Sequence, residues 1–189
     1  MNDVQVFSWL ILSLALLLAL NLKLTFTLYR KVRHLPGVIY IPEPLVTGTK
    51  LPMLSGKSLL SAELKPVWQN GYATAVLFLA SRCSKCREKL DELPILFNLA
   101  EGSGLEIKLI TSESARQYRR FLTDVQLARN CIRIRQSDYL QLNPQQMSPA
   151  YLFVDQQGVV EATGLIGDET WMQFCEQLQT LSNIQQNVA

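Results

Sequence analysis

Residues 73–90 read ATAVLFLASRCSKCREKL, and this stretch decides the fold. Its first eight residues form an uninterrupted apolar run between turn-forming residues, which is typical of a buried central β-strand. Apolar side chains then recur at helical spacing after Cys83, so we expect a helix that begins at the cysteine motif, runs to Ala100 and kinks at Pro94. The Cys-x-x-Cys motif therefore lies where a buried strand turns into a helix.

The position of this motif predicts redox chemistry. A thiol at the start of a helix lies near free backbone N–H groups and the positive end of the helix dipole, which favour the thiolate. Arg82 and Lys85 add positive charge, so we expect them to lower the pKa of Cys83. The thiolate is the attacking species in thiol–disulfide exchange. We therefore expect Cys83 to be the nucleophile and Cys86 to be the second, inward-pointing thiol.

Other cysteine chemistries fit the sequence less well. Zinc needs four ligands, and the remaining cysteines, Cys131 and Cys175, are isolated in apolar stretches where a free cysteine packs as a small hydrophobe. Covalent haem attachment needs a histidine directly after the second cysteine, and Arg87 stands there. A copper chaperone would need a wider cysteine spacing and a downstream histidine, whereas the single histidine, His34, precedes the motif. No metal ion or cofactor is predicted, and a purely structural cysteine pair remains an alternative.

Outside this stretch, strand and helix patterns alternate. The predicted strands lie at 105–110, 131–135, 150–154 and 159–163, a hairpin at 51–60 around Ser55-Gly56-Lys57, and helices at 112–128 and 168–182. Ser112 or Ser114 is the expected N-cap of the first helix, and Asp168 that of the second. This order predicts an α/β fold with a mixed central sheet flanked by helices. A chain of 189 residues that is 48% hydrophobic suits one such domain and excludes a disordered protein.

The N-terminal region predicts a membrane anchor. The 19 residues between Asp3 and Lys23 carry no charge. At about 1.5 Å per residue, they nearly span a hydrocarbon core of about 30 Å. The run is longer than a signal-peptide core and follows an acidic start, so we expect an uncleaved transmembrane helix at 4–29. A linker rich in proline and glycine is predicted at 30–46, followed by one domain at 47–186.

The membrane orientation is predicted differently by charge and by chemistry. Lys23, Arg30, Lys31 and Arg33 follow or flank the end of the apolar run, and the positive-inside rule places the domain after them in the cytoplasm. Disulfides persist mainly outside the cytosol, which argues for the opposite side. We expect a single-pass protein of a bacterial inner membrane with its domain on the periplasmic side, against the charge rule.

Two motifs make the chain resemble thioredoxin-like proteins. The first is SRCSKC, which opens a helix after a buried strand, and the second is MSPA at 147–150, which leads into the strand YLFVD. In that superfamily the proline before this strand is cis and lies beside the reactive cysteines. The resemblance therefore implies a thioredoxin-like fold in which Ser148 and Pro149 form a substrate-binding surface that faces Cys83.

The resemblance is nearer to one subgroup. Pro149 lies 63 positions after Cys86, which is similar to the membrane-anchored TlpA/ResA-type thiol–disulfide oxidoreductases, and the lead-in at 48–59 resembles their N-terminal hairpin. Nearer still are the MauD-type methylamine utilisation accessory proteins, with one N-terminal span and a basic segment after it. They imply an enzyme that acts through a mixed disulfide on cysteines of a partner protein during maturation of a periplasmic enzyme such as methylamine dehydrogenase.

The resemblance also implies a membrane thiol carrier as redox partner. It leaves open which client is used and whether the site oxidises, reduces or isomerises. A non-catalytic assembly factor or chaperone with the same fold is the alternative function.

The chain departs from thioredoxin at two positions near the motif. Arg82 replaces the usual tryptophan, and Leu77 stands where thioredoxin has a buried aspartate that moves protons for the inner cysteine. No proton acceptor for Cys86 is identified. The nearest acidic residues are interpreted as solvated helix charges: Glu88, Asp91 and Glu92.

A run of arginines follows the motif at some distance. The arginines are Arg116, Arg119, Arg120, Arg129, Arg133 and Arg135, and Asp124 is the only acidic residue among them. The pattern indicates either a solvated basic face or a docking surface for an acidic partner or anionic lipid. Nucleic acid is not an expected partner, because the net charge of the chain is only +2 and no aromatic residues interleave with the arginines in a binding motif.

Overall fold

The computed structural model describes residues 3–33, 42–61 and 63–188, which fall into an N-terminal unit and a unit that starts at Pro42. The N-terminal unit contains helix α1 (Asp3–Arg33). Its segment Phe7–Arg30 has 24 residues and is long and apolar enough to cross a membrane. The predicted linker at 30–46 lies partly outside the described residues, as does His34, and its residues 30–33 belong to α1.

The second unit is an α/β structure around one sheet. Its elements are β1 (Ser55–Ser58), β2 (Leu64–Pro66), β3 (Ala73–Phe78), α2 (Ser84–Lys89), α3 (Leu93–Ala100), β4 (Leu105–Thr111), α4 (Ala115–Phe121), α5 (Val125–Arg129), β5 (Cys131–Arg133), α6 (Gln136–Leu142), β6 (Ala150–Val154), β7 (Val160–Leu165) and α7 (Glu169–Val188). The strand order is β2-β1-β5-β4-β3-β6-β7. β4 pairs in parallel with β3 and β5, and the other pairs are antiparallel. The predicted mixed sheet with flanking helices is confirmed.

Strand β3 lies inside the sheet and is buried on both faces. Its side chains alternate between two hydrophobic clusters. Ala75 and Leu77 pack in the cluster that includes Trp171 of α7, whereas Val76 and Phe78 pack in the cluster on the opposite face. Burial on both faces explains why its sequence is a continuous apolar run without alternation.

The hairpin near residue 55 differs from its prediction. Ser55-Gly56-Lys57 is not a turn but lies within strand β1, whose antiparallel partner is β2. A Cβ at Gly56 would lie 2.5 Å from the carbonyl oxygen of Arg133 and 2.7 Å from the side chain of Ile132. Glycine therefore marks a close approach of strands β1 and β5 here, and not a chain reversal.

The two predicted helices nearest the motif are each divided in two. α2 and α3 are separate, and Pro94 lies in the first turn of α3, where a missing N–H leaves no helical hydrogen bond unmade. The helix predicted at 112–128 is α4 followed by α5. Ser114 caps α4, and the carboxylate of Asp124 caps α5 by accepting a hydrogen bond from the N–H of Leu127 at 3.0 Å. Asp124 therefore acts as a second N-cap within the predicted helix, and a new helix begins after it.

The C-terminal part follows its prediction more closely. β6 and β7 form the expected hairpin, and Asp168 caps α7 by accepting a hydrogen bond from the N–H of Trp171 at 2.8 Å. Helix α6 falls in a stretch for which the sequence pattern predicted no element.

Candidate active site

The first cysteine of the motif, Cys83, follows β3 and is the N-cap residue of α2. Its Sγ accepts a hydrogen bond from the backbone N–H of Cys86 at 3.2 Å. Its thiol also lies 3.7 Å from the carbonyl oxygen of Ser148, to which it donates. Both cysteines of the motif are thiols, and Cys83 is partly exposed. A macromolecular substrate can therefore reach its sulfur.

The second cysteine, Cys86, is buried beneath the first, with no exposed surface. The backbone N–H of Ala80 donates to its Sγ at 3.5 Å, and the hydroxyl of Ser148 lies 2.9 Å from the same sulfur. Burial is the largest cause that raises the pKa of Cys86 from 9.0 to about 11; the hydrogen bond with Cys83 acts in the same direction and the Ser148 hydroxyl in the opposite one. The inner sulfur is therefore held as a thiol in this state.

Ser148 and Pro149 form a turn beside both sulfurs. The peptide bond between them is cis, and Pro149 is buried at the start of β6, the strand that pairs with β3. Ser148 contacts Cys83 through its carbonyl and Cys86 through its hydroxyl, and the hydroxyl also donates to the carbonyl of Phe78 at 3.4 Å. The structure thus brings together four residues that the sequence singled out. Their catalytic and substrate-binding roles stay predictions.

A buried amide holds this turn in place. The side chain of Asn143 donates to the carbonyl of Met147 at 2.8 Å and accepts from the N–H of Met147 at 2.9 Å. It also donates to the hydroxyl of Tyr139 at 3.3 Å. The sequence analysis did not identify Asn143, although the Asn-Pro dipeptide at 143–144 is a turn signal.

A carboxylate holds the chain on the other side of Cys83. The N–H of Ser81 donates to one oxygen of Glu113 at 2.9 Å, and the Ser81 hydroxyl donates to the other at 2.5 Å. The side-chain amide of Gln117 on α4 then donates to the Ser81 hydroxyl at 2.8 Å. The sequence analysis missed Glu113. It follows β4, and the carboxyl ends of parallel neighbours such as β3 and β4 meet at the same edge of a sheet.

Arg82 and Lys85 lie where the sequence predicts them, next to Cys83. Both side chains are exposed, and neither forms a hydrogen bond or an ion pair with the residues that the structure describes. Their influence on the nucleophile stays a prediction.

The inner thiol has no acidic neighbour from β3 or α2. Leu77 is fully buried in the hydrophobic cluster of that face. Glu92 is exposed and pairs with Lys89 at 3.0 Å, and the other two acidic residues of this region, Glu88 and Asp91, are exposed as well. Within the described residues, the hydrogen-bond partners of the Cys86 sulfur include the N–H of Ala80 and the hydroxyl of Ser148 but no carboxylate.

The two remaining cysteines belong to the hydrophobic core. Cys131 is fully buried and Cys175 is partly buried against the same cluster. Burial raises the pKa of each thiol, which favours the protonated form. In residues 3–33, 42–61 and 63–188, no group of three or more His, Cys, Asp or Glu side chains is arranged to hold a metal ion.

No protein-family model and no curated protein sequence matches the chain. Solved structures do match. The thioredoxin domain of a thiol-disulfide oxidoreductase from Bacteroides vulgatus superposes with a TM-score of 0.59 at 19% identity, over 71% of this chain and 99% of that one. A thiol:disulfide interchange protein from Bacteroides sp. gives 0.59 at 20% identity, over 71% and 91%.

The fold is also shared with a protein that is not described as a thiol-disulfide oxidoreductase. A peroxiredoxin-like protein from Aquifex aeolicus superposes with a TM-score of 0.56 at 11% identity, over 75% of this chain and 90% of that one. At such identities the similarity shows the fold alone. The domain therefore has an α/β thioredoxin-like fold, and its activity must be argued from the site.

Proposed function

We propose that this protein is a thiol–disulfide oxidoreductase in which Cys83 attacks and Cys86 resolves. One arrangement carries the proposal: a reachable thiol and a buried thiol share the Ser148 turn as a neighbour, with contacts of 3.7 and 2.9 Å. The similar structures described as a thiol-disulfide oxidoreductase and an interchange protein support this proposal over a structural cysteine pair.

In the first step, the Cys83 thiolate attacks one sulfur of a disulfide in a partner protein. A bond forms between Cys83 and that sulfur, the partner's S–S bond breaks, and the electron pair leaves with the other partner sulfur, which takes up a proton. The N–H of Cys86, 3.2 Å from Sγ, stabilises negative charge on the nucleophile. The Ser148 carbonyl is placed to accept a hydrogen bond from the partner's backbone in the mixed disulfide.

In the second step, Cys86 attacks Cys83. The Cys86 thiol loses its proton, its sulfur bonds to Sγ of Cys83, and the partner leaves as a thiol, so the partner is reduced and the motif is oxidised. A pKa of about 11 keeps Cys86 protonated before this step, so the mixed disulfide persists until that proton is lost. The Ser148 hydroxyl, 2.9 Å away, positions the thiol but is too weak a base to remove its proton. The reverse sequence of steps oxidises a partner dithiol.

We further propose a membrane-anchored role, because Phe7–Arg30 is able to span a bilayer. The resemblance to MauD-type proteins favours action in the periplasm during maturation of a disulfide-containing enzyme, with a membrane thiol carrier as redox partner. A tether of this kind raises the effective concentration of the site near membrane partners. A membrane-impermeant maleimide should then label Cys83 in intact spheroplasts. Labelling only after lysis would mean that the domain faces the cytoplasm.

Trapping tests the exchange itself. We expect the reduced full-length Cys86→Ser protein in detergent to accumulate a mixed disulfide with a disulfide-containing test protein, because the resolving thiol is missing. Cys83→Ser should form none. If Cys83→Ser exchanges as fast as the unaltered protein, the proposal is wrong. If Cys83→Ser cells still mature the client normally, the assembly-factor function takes its place.

A further inference from the structure

An arginine-lined groove begins beside the nucleophile. It is open, encloses about 590 Å³ and starts at Ser81, two residues before Cys83. Every charged residue that lines it is an arginine: Arg82 and Arg87 from the motif region, and Arg116 and Arg120 from α4. All four are exposed. The groove is therefore a concentrated positive surface that includes the arginines on both sides of the Cys-x-x-Cys motif.

Among the residues that the structure describes, these arginines have no hydrogen-bond or ion-pair partner. The ion pairs in the described part of the chain join Lys89 to Glu92 and Lys108 to Glu106. Arg119, also on α4, instead donates two hydrogen bonds to the carbonyl of Leu59, at 2.9 and 2.5 Å. Arg119 thus stabilises the fold, whereas the N–H groups of the groove arginines are available to a ligand.

Hydrogen bonds fix the position of the groove relative to Cys83. Ser81 joins Glu113 and Gln117 by hydrogen bonds of 2.5 to 2.9 Å, which tie α4 to the chain just before Cys83. A charged ligand that docks on α4 is therefore placed at a fixed offset from the sulfur. Such positioning lowers the entropic cost of bringing the substrate cysteine and Cys83 together.

The spacing of the arginines indicates the shape of the ligand. Arg116 and Arg120 are four residues apart on one face of α4, about 6 Å along the helix axis. Alternate side chains of an extended peptide lie about 7 Å apart on one side. Guanidinium groups pair well with carboxylates. An extended segment with acidic residues at alternate positions therefore matches this part of the groove.

We propose that the arginine groove binds an acidic segment of the partner protein that flanks the cysteine attacked by Cys83. The inference rests on the proposed exchange function and specifies its substrate class. A protein segment is favoured over anionic lipid because two of the groove arginines, Arg82 and Arg87, flank the motif whose Cys83 must meet the substrate cysteine.

Two matched peptides test the inference. Each peptide chain has one cysteine, and a disulfide joins two identical chains through it. One peptide carries Glu at alternate positions beside the cysteine, and the other carries Gln. The reduced full-length protein should reduce the acidic peptide about tenfold faster at low salt, the effect expected from two or three exposed arginine–carboxylate pairs. In salt of about 1 M, where charges are screened beyond about 3 Å, the two rates should converge.

Two double variants locate the effect. Arg116→Ala/Arg120→Ala should bring the preference, measured as the ratio of the rates with the Glu and Gln peptides, down to about twofold. Arg129→Ala/Arg135→Ala removes the same charge from exposed positions that do not line the groove, and should keep the preference. Equal loss in both variants would attribute the preference to net charge and overturn the inference.

The outcomes separate the two proposals. If neither peptide is reduced, or Cys83→Ser reduces both as fast, the exchange function fails. If the unaltered protein reduces both peptides at the same rate at low salt, exchange stands and the groove inference is overturned. If the preference is absent in vesicles of neutral lipid and Arg116→Ala/Arg120→Ala changes the rate only in vesicles of anionic lipid, the groove binds headgroups, which also overturns it.

Discussion

Two hydrogen-bonded groups near Cys83 are built in different ways. We call Ser81, Glu113 and Gln117 the carboxylate wall and Asn143, Met147 and Ser148 the amide wall. The carboxylate wall uses a charged acceptor near the surface and adjoins the arginine groove. The amide wall uses neutral hydrogen bonds around a buried side chain and touches both sulfurs.

The difference separates two tasks. Neutral, buried hydrogen bonds fix a geometry that salt does not alter, and they act on the inner thiol. Charged, partly exposed groups respond to salt and to the charge of a partner. We therefore expect substitutions in the amide wall to change stability and the chemistry of Cys86, and those in the carboxylate wall to act mainly on the groove.

The largest effect is expected from Asn143→Ala. The change leaves both backbone groups of the partly buried Met147 without their partner, and an unmet group costs up to about 1–3 kcal/mol when buried. We expect the free energy of unfolding to fall by about 3 kcal/mol, measured by denaturant titration of the full-length protein in detergent. Asn98→Ala, at an exposed position, is the control and should change it by less than about 0.5 kcal/mol. Similar losses of unfolding free energy in both variants would contradict a stabilising role of the amide wall.

The next effect concerns the pKa of Cys86. In the Cys83→Ser variant, alkylation of Cys86 should rise with pH and still be rising above pH 9.0, because burial is the largest cause of its raised pKa. Adding Ser148→Ala should move the midpoint higher, since the Ser148 hydrogen bond lowers the pKa. A midpoint at or below 9.0 would show that burial does not dominate.

The same pKa has a consequence for stability. A thiol whose pKa is raised by folding stabilises the folded state below its unfolded pKa of 9.0, and the contribution is lost as the pH rises through about 11. In this window, the reduced protein should lose stability more steeply than Cys86→Ala. Parallel pH profiles would contradict the assignment.

A smaller effect is expected within the carboxylate wall. Glu113→Gln weakens both hydrogen bonds from Ser81, and bonds to a charged group contribute about 1.5–3 kcal/mol when well protected. Because Glu113 is partly exposed, we expect about 1 kcal/mol. A double-mutant cycle with Ser81→Ala should recover most of it as coupling energy. Additive losses would mean that the two side chains do not act together.

The smallest effect tests how α4 is anchored. Ser114 accepts a hydrogen bond from the N–H of Gln117 at 3.3 Å, so Ser114→Ala should cost about 0.5–1 kcal/mol of unfolding free energy. The matched change Ser112→Ala removes the other serine that the sequence offered as a cap and should be nearly neutral. The reverse order would place the start of the helix two residues earlier.

Local patterns of the site could be predicted from the sequence, and distant contacts could not. The buried strand and the cysteine motif are contiguous, so the placement of Cys83 and Cys86 followed from residues 73–90 alone. Glu113 contacts Ser81 across 32 positions, and only the pairing of β3 with β4 reveals that proximity. Gly56 was misinterpreted because a glycine that permits a turn and one that permits close packing have the same signature in sequence.

One feature of α2 links folding to redox state. The sulfur of Cys83 is both the reacting atom and the N-cap acceptor of the helix, at 3.2 Å from the N–H of Cys86. A thiolate is a stronger acceptor than a disulfide sulfur, so the first turn of α2 is better capped in the reduced protein whenever Cys83 has given up its proton. By thermodynamic linkage, whatever stabilises the reduced form makes the cysteine pair a stronger oxidant. The helix start is therefore one of the determinants of the reduction potential of the motif.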